Sequence, residues 1–162
     1  MKKLLAIVVL LVITITSTAL FADHKEPKES EIRPYGKLNH TNLNGADLSS
    51  ANLYNASLKR TVLKNANLSK ANLNRTFLGG SDLTKANLSY ADLSEANLFL
   101  ANLNGANLLG ANLSKANLNG TNLYEADLSE ANLNSITATN LRSCPLSLPK
   151  GWVCENKSLI QR

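Results

Sequence analysis

A leucine recurs at every fifth residue from Leu38 to Leu133, twenty times without a gap. Two residues before each leucine stands a small residue, alanine at fourteen of the twenty positions, and the residue between them is Asn or Asp at sixteen. Residues two apart on a strand point the same way, so the small residue and the leucine share one side and the Asn or Asp faces the other. A sustained helix is excluded, because a step of five residues turns successive leucines by about 140° around a helix axis.

This five-residue period predicts a chain that turns after every repeat and closes into a coil around a leucine column. Each buried leucine contributes about 1.5–3 kcal/mol before the entropy of ordering the chain is subtracted. The alanine column stays small because neighbouring sides of a narrow coil come close together. Asn and Asp are expected at the corners, where they tolerate turn conformations, and stacked copies are expected to form ladders between coils.

The repeats resemble the A(D/N)LXX unit of the pentapeptide-repeat family, as in residues 46–50, 86–90 and 116–120, which read ADLSS, ANLSY and ANLNG. The resemblance covers residues 36–135 in one register. It implies an all-β fold, a right-handed quadrilateral parallel β-helix or solenoid, with four repeats per coil and therefore about five coils. At a strand spacing of about 4.8 Å the predicted rod is roughly 24 Å long.

Two segments precede the repeats. Residues 1–22 are predicted to be a signal peptide, because Lys2 and Lys3 precede an apolar run that leads through a threonine-rich patch to a small residue, Ala22. Cleavage is expected between Ala22 and Asp23. The apolar run of about 19 residues is also long enough for an uncleaved anchor. Residues 23–35 mix charges and prolines, and we expect them to form a charged tether or N-terminal cap.

The tail, residues 136–162, is expected to combine a degenerate repeat with a C-terminal cap. The segment 139–141 reads TNL and restores the repeat unit eight positions after the last leucine of the run, with Leu146 in the same phase. A cap would cover the strand edges of the last coil, and Trp152 is expected to lie over its apolar end.

Net charge and cysteines bear on the compartment and the partner. The chain carries a formal charge of +5, and removal of residues 1–22, with two lysines and no acid, leaves +3. This modest surplus argues only weakly for an anionic partner. Nine residues separate Cys144 from Cys154, and export to an oxidising compartment would let them pair. We therefore expect a disulfide-closed cap and a periplasmic or extracellular protein, with an N-terminal anchor in the inner membrane as the alternative.

Little in the sequence supports catalysis. The two histidines, His24 and His40, lack the serine or cysteine and carboxylate setting of a catalytic triad. The chain also shows neither a Gly-rich phosphate loop nor a metal-spaced cluster. We predict that the protein is not an enzyme, with no catalytic residues, no cofactor and no metal.

The outward residues differ from coil to coil. Residues 56–75 carry five bases and no acid, whereas residues 116–135 carry three acids and no base, so the rod is predicted to be positive near its start and negative near its end. Residues twenty apart stack, and Gly79 and Gly80 are expected to leave the surface open between the basic and apolar members of one side. The candidate binding surface consists of Lys59, Arg60, Lys64, Lys70, Arg75, Phe77, Phe99 and Leu100.

These features suggest two functions, and the family resemblance implies a third. The first is an exported scaffold that presents a rigid β-helical surface to a protein partner. The second is peripheral, salt-sensitive binding of anionic envelope lipid or polysaccharide through the basic second coil. The resemblance also implies the family's gyrase-protecting DNA mimics, which are strongly acidic and cytoplasmic. The positive charge and the export signal disfavour that role, and no nucleic-acid partner is expected.

Overall fold

The structure is a computed structural model that describes residues 31–162. The predicted signal peptide, its cleavage point between Ala22 and Asp23, and the first part of the tether lie outside the described residues. Within residues 31–162 there is no helix of the length and hydrophobicity needed to cross a membrane.

The repeats stack on one another at an interval of twenty residues. Parallel bridges join Lys37 to Ser57 and Ser57 to Phe77, and bridges with the same spacing run along all four sides of the coil. Each side contributes a single bridge between two turns, so the coil is built without long strands. The predicted all-β, parallel coil is confirmed.

The corners of the coil share one construction. The leucine C=O of one unit accepts a hydrogen bond from the N–H of the first residue of the next unit, as Leu43 does from Ala46 at 3.1 Å. The fifth residue of the unit lies between these two partners and has a positive φ, for example +58° at His40 and +54° at Arg60. A bond across three residues with a left-handed third residue defines a type II β-turn. The prediction that Asn and Asp form the corners is therefore wrong. The left-handed residue is the fifth of the unit, and the Asn or Asp lies on the flat side before the leucine.

The Asn and Asp side chains instead connect the corners and the coils. Asn42 Oδ1 accepts a hydrogen bond from Asn44 N–H at 3.1 Å, which satisfies a turn N–H. Asn67 Nδ2 donates to Asp47 Oδ1 of the preceding coil at 3.1 Å. The predicted ladders between stacked Asn and Asp residues are thus confirmed.

The leucine column forms the core, and its members from Leu48 to Leu128 are 0% exposed. Thr or Ser replaces alanine at five buried small positions, and each of these hydroxyls donates to the C=O of a leucine, as Thr76 Oγ1 does to Leu73 at 2.7 Å. Buried hydroxyls need such partners, so the core accepts these polar substitutions without an unsatisfied group.

A hairpin ends the chain, with strand β1 at Trp152–Glu155 paired antiparallel to strand β2 at Ser158–Gln161. Leu159 N–H donates to Ala138 C=O at 3.1 Å, so β2 lies on the last coil. Trp152 packs against the buried core, and a disulfide joins Cys144 to Cys154.

The predicted register of the tail is wrong. Leu118 N–H donates to Thr137 C=O at 2.7 Å, which continues the twenty-residue step and gives Ala138 the position of a core leucine. Leu141 is buried, with 1% exposure, but Leu146 is 75% exposed and lies outside the core. The bridge spacing is twenty-one residues between Asn122 and Ser143. It returns to twenty between Asp127 and Ser147, so the coil accommodates the extra residue locally.

Candidate interaction surface

The turns at 59–60, 79–80 and 99–100 stack into one corner of the rod. Arg60 N–H donates to Gly79 C=O at 3.1 Å, and Gly80 N–H donates to Phe99 C=O at 2.9 Å. Phe77 lies on the adjoining side, and Lys59 Nζ is 5.3 Å from the centre of its ring. The structure therefore brings together five of the predicted surface residues, which we call the Phe77 edge: Lys59, Arg60, Phe77, Phe99 and Leu100.

The apolar members of the Phe77 edge are partly open to solvent. Phe77 is 40% exposed, Phe99 is 47% exposed and Leu100 is 41% exposed. Lys59 covers part of the Phe77 ring, and such an exposed cation–π contact contributes about 0.5–1 kcal/mol. The result is a small group of partly exposed apolar side chains on neighbouring coils, with positive charge beside it.

The other three predicted surface residues lie on different corners. Lys64 Nζ pairs with Asp82 at 3.2 Å, and Arg75 Nε pairs with Glu95 at 2.9 Å. Lys70 belongs to the corner diagonally opposite the Phe77 edge, ten residues along the coil from Arg60. The basic coil is therefore a belt of charge around the rod, and its five bases do not share one face.

The two ion pairs contribute to pKa shifts at Arg75 and Asp82. The hydrogen bond from Arg75 to Glu95 raises the pKa of the Arg75 guanidinium. Burial alone would raise the pKa of Asp82, but hydrogen bonds from Thr84 and Lys64 and the charge of Lys64 outweigh it, and the net pKa is lowered. Among residues 31–162 the salt bridges use three bases, Lys64, Arg75 and Arg162, and neither base of the Phe77 edge is among them.

Long side chains at the corners lie across the coil that follows. A Cβ built on Gly80 would lie 3.5 Å from Arg60 Cγ, and one built on Gly120 would lie 2.7 Å from Leu100 Cδ2. The expectation that Gly80 leaves an open surface is therefore wrong, because the stem of Arg60 crosses it. Glycine at position 120 makes room for the side chain of the preceding coil, whereas a Cβ at position 80 would make only ordinary van der Waals contact.

The Phe77 edge also interrupts the polar ladders. Three of the four residues that replace Asn or Asp before a leucine, Lys37, Ser57 and Phe77, are twenty apart and stack on one side. The positions that lack Asn or Asp are themselves twenty residues apart, and this spacing, which the five-residue period does not reveal, would have marked the side from the sequence. An uninterrupted side consists of Asn52, Asn72, Asp92, Asn112 and Asn132.

On an uninterrupted side, one Asn or Asp oxygen accepts from both a turn and a neighbouring coil. Asp92 Oδ1 accepts from Ser94 N–H at 3.0 Å and from Asn112 Nδ2 at 3.1 Å. The backbone donor of the turn and the amide donor of the next coil thus converge on a single oxygen.

Phenylalanine supplies no such oxygen. Gly79 N–H, two residues after Phe77, has no acceptor in the described part of the chain. Asn97 Nδ2 in the next coil also has none there, and it shares this with the amides of Asn107 and Asn117, which stack on Asn residues. Asn97 Oδ1 accepts from Phe99 N–H at 3.0 Å, which leaves its amide as the free end. The sequence-based prediction missed these two donors, which adjoin the Phe77 edge.

The rod's charge does not simply reverse from one end to the other. The acids of residues 116–135 precede a tail that carries four bases, so the predicted negative end is followed by positive charge. Within residues 31–162, no three His, Cys, Asp or Glu side chains are grouped so that they could hold a metal ion. The four tail bases are Arg142, Lys150, Lys157 and Arg162.

Known proteins share this architecture. A family model described as pentapeptide repeats matches eight copies at residues 36–65, 62–99 and 96–134. Among solved structures, a pentapeptide repeat protein from the cyanobacterium Cyanothece is 40% identical, with a TM-score of 0.53 over 53% of this chain and 58% of that chain. One from the Arabidopsis thaliana thylakoid lumen is 30% identical, with a TM-score of 0.42 over 64% of this chain and 68% of that chain.

A third similar structure is QnrB1, a plasmid-mediated fluoroquinolone resistance protein, at 20% identity and a TM-score of 0.47 over 65% of this chain and 62% of that chain. Comparison with curated proteins gives no match. The first of these structures is matched over less than two thirds of its length. The family model, by contrast, covers more than half of this chain, and its members adopt a right-handed quadrilateral β-helix. The chain belongs to the pentapeptide repeat family.

Proposed function

We propose that this chain is an exported, non-enzymatic scaffold that presents the Phe77 edge to a protein partner. The observation that carries the proposal is that three partly exposed apolar side chains lie on neighbouring coils beside two bases that form no ion pair among the described residues. Side chains in a ladder already satisfy one another. An apolar surface beside unpaired charge is stabilised when a partner covers it.

The proposal includes an organisation of the whole chain. It consists of an export signal at residues 1–22, a tether at 23–35, five coils at 36–135 and a cap at 136–162. The position of β2 on Ala138 and the packing of Trp152 against the core support the cap. The bond between Cys144 and Cys154 fits an oxidising compartment such as the periplasm.

The second candidate function is binding of anionic envelope lipid or polysaccharide through the basic coil. Lys70, which forms no salt bridge within residues 31–162, adds to the charge available for this role. Attraction to an anionic membrane is worth about 1 kcal/mol per base near the surface, so it needs several bases on one face. The belt arrangement places only Lys59 and Arg60 together, which favours a protein partner.

Gyrase protection by imitation of DNA is disfavoured. Imitation of a duplex needs an acidic surface, whereas this chain carries a net charge of +5 and a belt without acids at residues 56–75. The likeness to QnrB1, at a TM-score of 0.47, adds no functional argument.

Paired charge reversals test the proposed scaffold. Lys59→Glu with Arg60→Glu is compared with Lys70→Glu and Lys115→Glu. The second pair reverses two bases that lie on other corners and form no salt bridge among residues 31–162. After crosslinking and pull-down from an envelope extract of the native host, the first pair is expected to reduce a retained protein by about tenfold or more, as for a hot spot of about 1.4 kcal/mol. The second pair is expected to retain it.

Both double variants are expected to unfold at the wild-type temperature, because exposed charges contribute little to stability. Equal retention by both pairs contradicts a partner site at the Phe77 edge. Equal loss from both pairs, with steep sensitivity to salt, supports the second candidate function instead.

A further inference from the structure

We infer that the Phe77 edge binds an acidic peptide segment, one carboxylate of which accepts hydrogen bonds from Gly79 N–H and Asn97 Nδ2. This inference rests on the proposed function and specifies the chemistry of the partner. Lys59 and Arg60 supply the opposite charge, and an apolar side chain of the same peptide packs on Phe99 and Leu100.

The protein's own ladders show the chemistry that such a carboxylate would reproduce. Asn102 Oδ1 accepts from Asn104 N–H at 3.3 Å and from Asn122 Nδ2 at 3.0 Å. Asp92 Oδ1 accepts the same two kinds of hydrogen bond, so this pair of donors can bind a carboxylate within this fold. At the Phe77 position the corresponding donors have no oxygen from the chain itself.

The charge around the two donors favours an anion. Lys59 stands over the Phe77 ring, and the stem of Arg60 crosses Gly80, beside Gly79. Hydrogen bonds between such cations or N–H groups and a carboxylate are shorter and stronger than those between neutral groups.

The Val62 position shows that loss of the Asn or Asp does not by itself create a site for an anion. Val62 also replaces the polar residue, and Lys64 N–H has no acceptor among the described residues. In the next coil, however, Asp82 pairs with Lys64, and its carboxylate both neutralises that base and repels an incoming anion. The Phe77 edge has no carboxylate in the stacked positions of its side, 37, 57, 77, 97, 117 and 137.

The same features favour a peptide over a lipid surface. Two directed N–H donors select an acceptor of defined position, and the neighbouring Phe99 and Leu100 are less than half exposed, so they form a shallow contact. A membrane surface is recognised mainly by the number of bases that face it, and the Phe77 edge has two.

Nuclear magnetic resonance tests the inference with a defined probe. The ¹⁵N-labelled protein is titrated with the peptide acetyl-Leu-Glu-Leu-Glu-Leu-amide and with the matched peptide in which both Glu residues are Gln. The acidic peptide is expected to shift the Gly79 amide proton downfield and to shift the Asn97 side-chain amide, both saturably. The Gln peptide is expected to bind about tenfold more weakly or worse, because it loses a charge-assisted hydrogen bond.

Two substitutions of one residue provide the matched control. Phe77→Asn supplies the chain's own acceptor to both donors and is expected to weaken the acidic peptide by about tenfold or more. Phe77→Leu also changes the Phe77 edge, but it keeps an apolar side chain and leaves the donors free, so it is expected to weaken the acidic peptide clearly less than Phe77→Asn does.

Unchanged affinity in Phe77→Asn, or equal shifts from the acidic and Gln peptides, overturns the inference. So does the absence of a Gly79 shift at millimolar acidic peptide, and so does a Gly79 response confined to phosphatidylglycerol vesicles. If the pull-down partner is still lost on charge reversal of Lys59 and Arg60, only the peptide chemistry fails. If that partner is retained as well, the proposed function fails with it.

Discussion

Two sides of the rod, alike within, differ in what they show to solvent. The side that contains Asp92 carries Asn or Asp at each stacked position from 52 to 132, whereas the side that contains Phe77 carries four other residue types among its six positions. The backbone does not respond to this difference: Phe77 N–H donates to Ala56 C=O at 2.9 Å, as Asp92 N–H does to Ala71 at 2.9 Å. Because the leucines and backbone bridges maintain the coil, outward positions are free to vary for binding.

Removal of a core leucine tests the likeness of the two sides. Leu78 comes directly after Phe77 and Leu93 directly after Asp92, and both leucines are 0% exposed. The two substitutions compared are Leu78→Ala and Leu93→Ala. Each substitution is expected to lower the free energy of unfolding by about 2–5 kcal/mol through lost burial and a cavity. Chemical denaturation followed by circular dichroism measures both. A much smaller loss at Leu78 would show that the Phe77 side is less well packed within.

Truncation of a polar side chain tests the difference between the sides. Asp92→Ala removes acceptors for Ser94 N–H, the Ser94 hydroxyl and the Asn112 amide, and a loss of about 1–3 kcal/mol is expected from these bonds. Asn97→Ala removes one bond from Phe99 N–H, and a loss of about 0.5–1.5 kcal/mol is expected. Equal losses in thermal unfolding would mean that the ladder between coils adds nothing to stability.

The fold was predictable because a single period governs the inside. Any five-residue repeat that keeps a leucine buried has to turn at each step, and Leu48 to Leu128 obey this rule without exception. The tail was not predictable in the same way. The backbone hydrogen bonds of the preceding coil place Ala138 where a core leucine would be, and Leu141 is buried out of phase with the leucine column.

The candidate surface was predictable only in part. Stacking at twenty residues correctly brought Lys59 and Arg60 to Phe77 and Phe99, but it could not show which bases form ion pairs with the next coil, as Lys64 does with Asp82. The donors Gly79 N–H and Asn97 Nδ2 were missed because what marks them is the lack of an acceptor among the described residues. A pattern search records the residues that are present, whereas hydrogen-bond satisfaction depends on what the neighbouring coil supplies.

Phe77→Asn tests whether the phenylalanine makes the rod less stable than an Asn ladder at the same position would. Phe77→Asn supplies an acceptor to Gly79 N–H and Asn97 Nδ2, and each new bond is worth about 0.5–1.5 kcal/mol, partly offset by the lost contact with Lys59 at about 0.5–1 kcal/mol. The melting temperature is therefore expected to stay level or rise by a few degrees. Phe77→Ala, which removes the ring and adds no acceptor, is the control and is expected to melt no higher than wild type. A lower melting temperature for Phe77→Asn than for Phe77→Ala would contradict the ladder argument.

The smallest expected effect is that of acid, and it separates the Phe77 side from a third side of the rod, on which Asp127 stacks with Asn107 and Ser147. Hydrogen bonds from the Ser147 hydroxyl, and then from the Ser129 hydroxyl and backbone N–H, lower the pKa of Asp127 below its usual value. A lowered pKa in the folded state adds stability above the unfolded pKa of about 3.9, and that stability is lost as the pH falls through the folded pKa. Asp127→Asn is therefore expected to lose less melting temperature than wild type between about pH 5 and about pH 2. Asn97→Ala, on the side without carboxylates, is expected to keep the wild-type pH dependence, and a flattened profile in that variant would show that the acid sensitivity arises elsewhere.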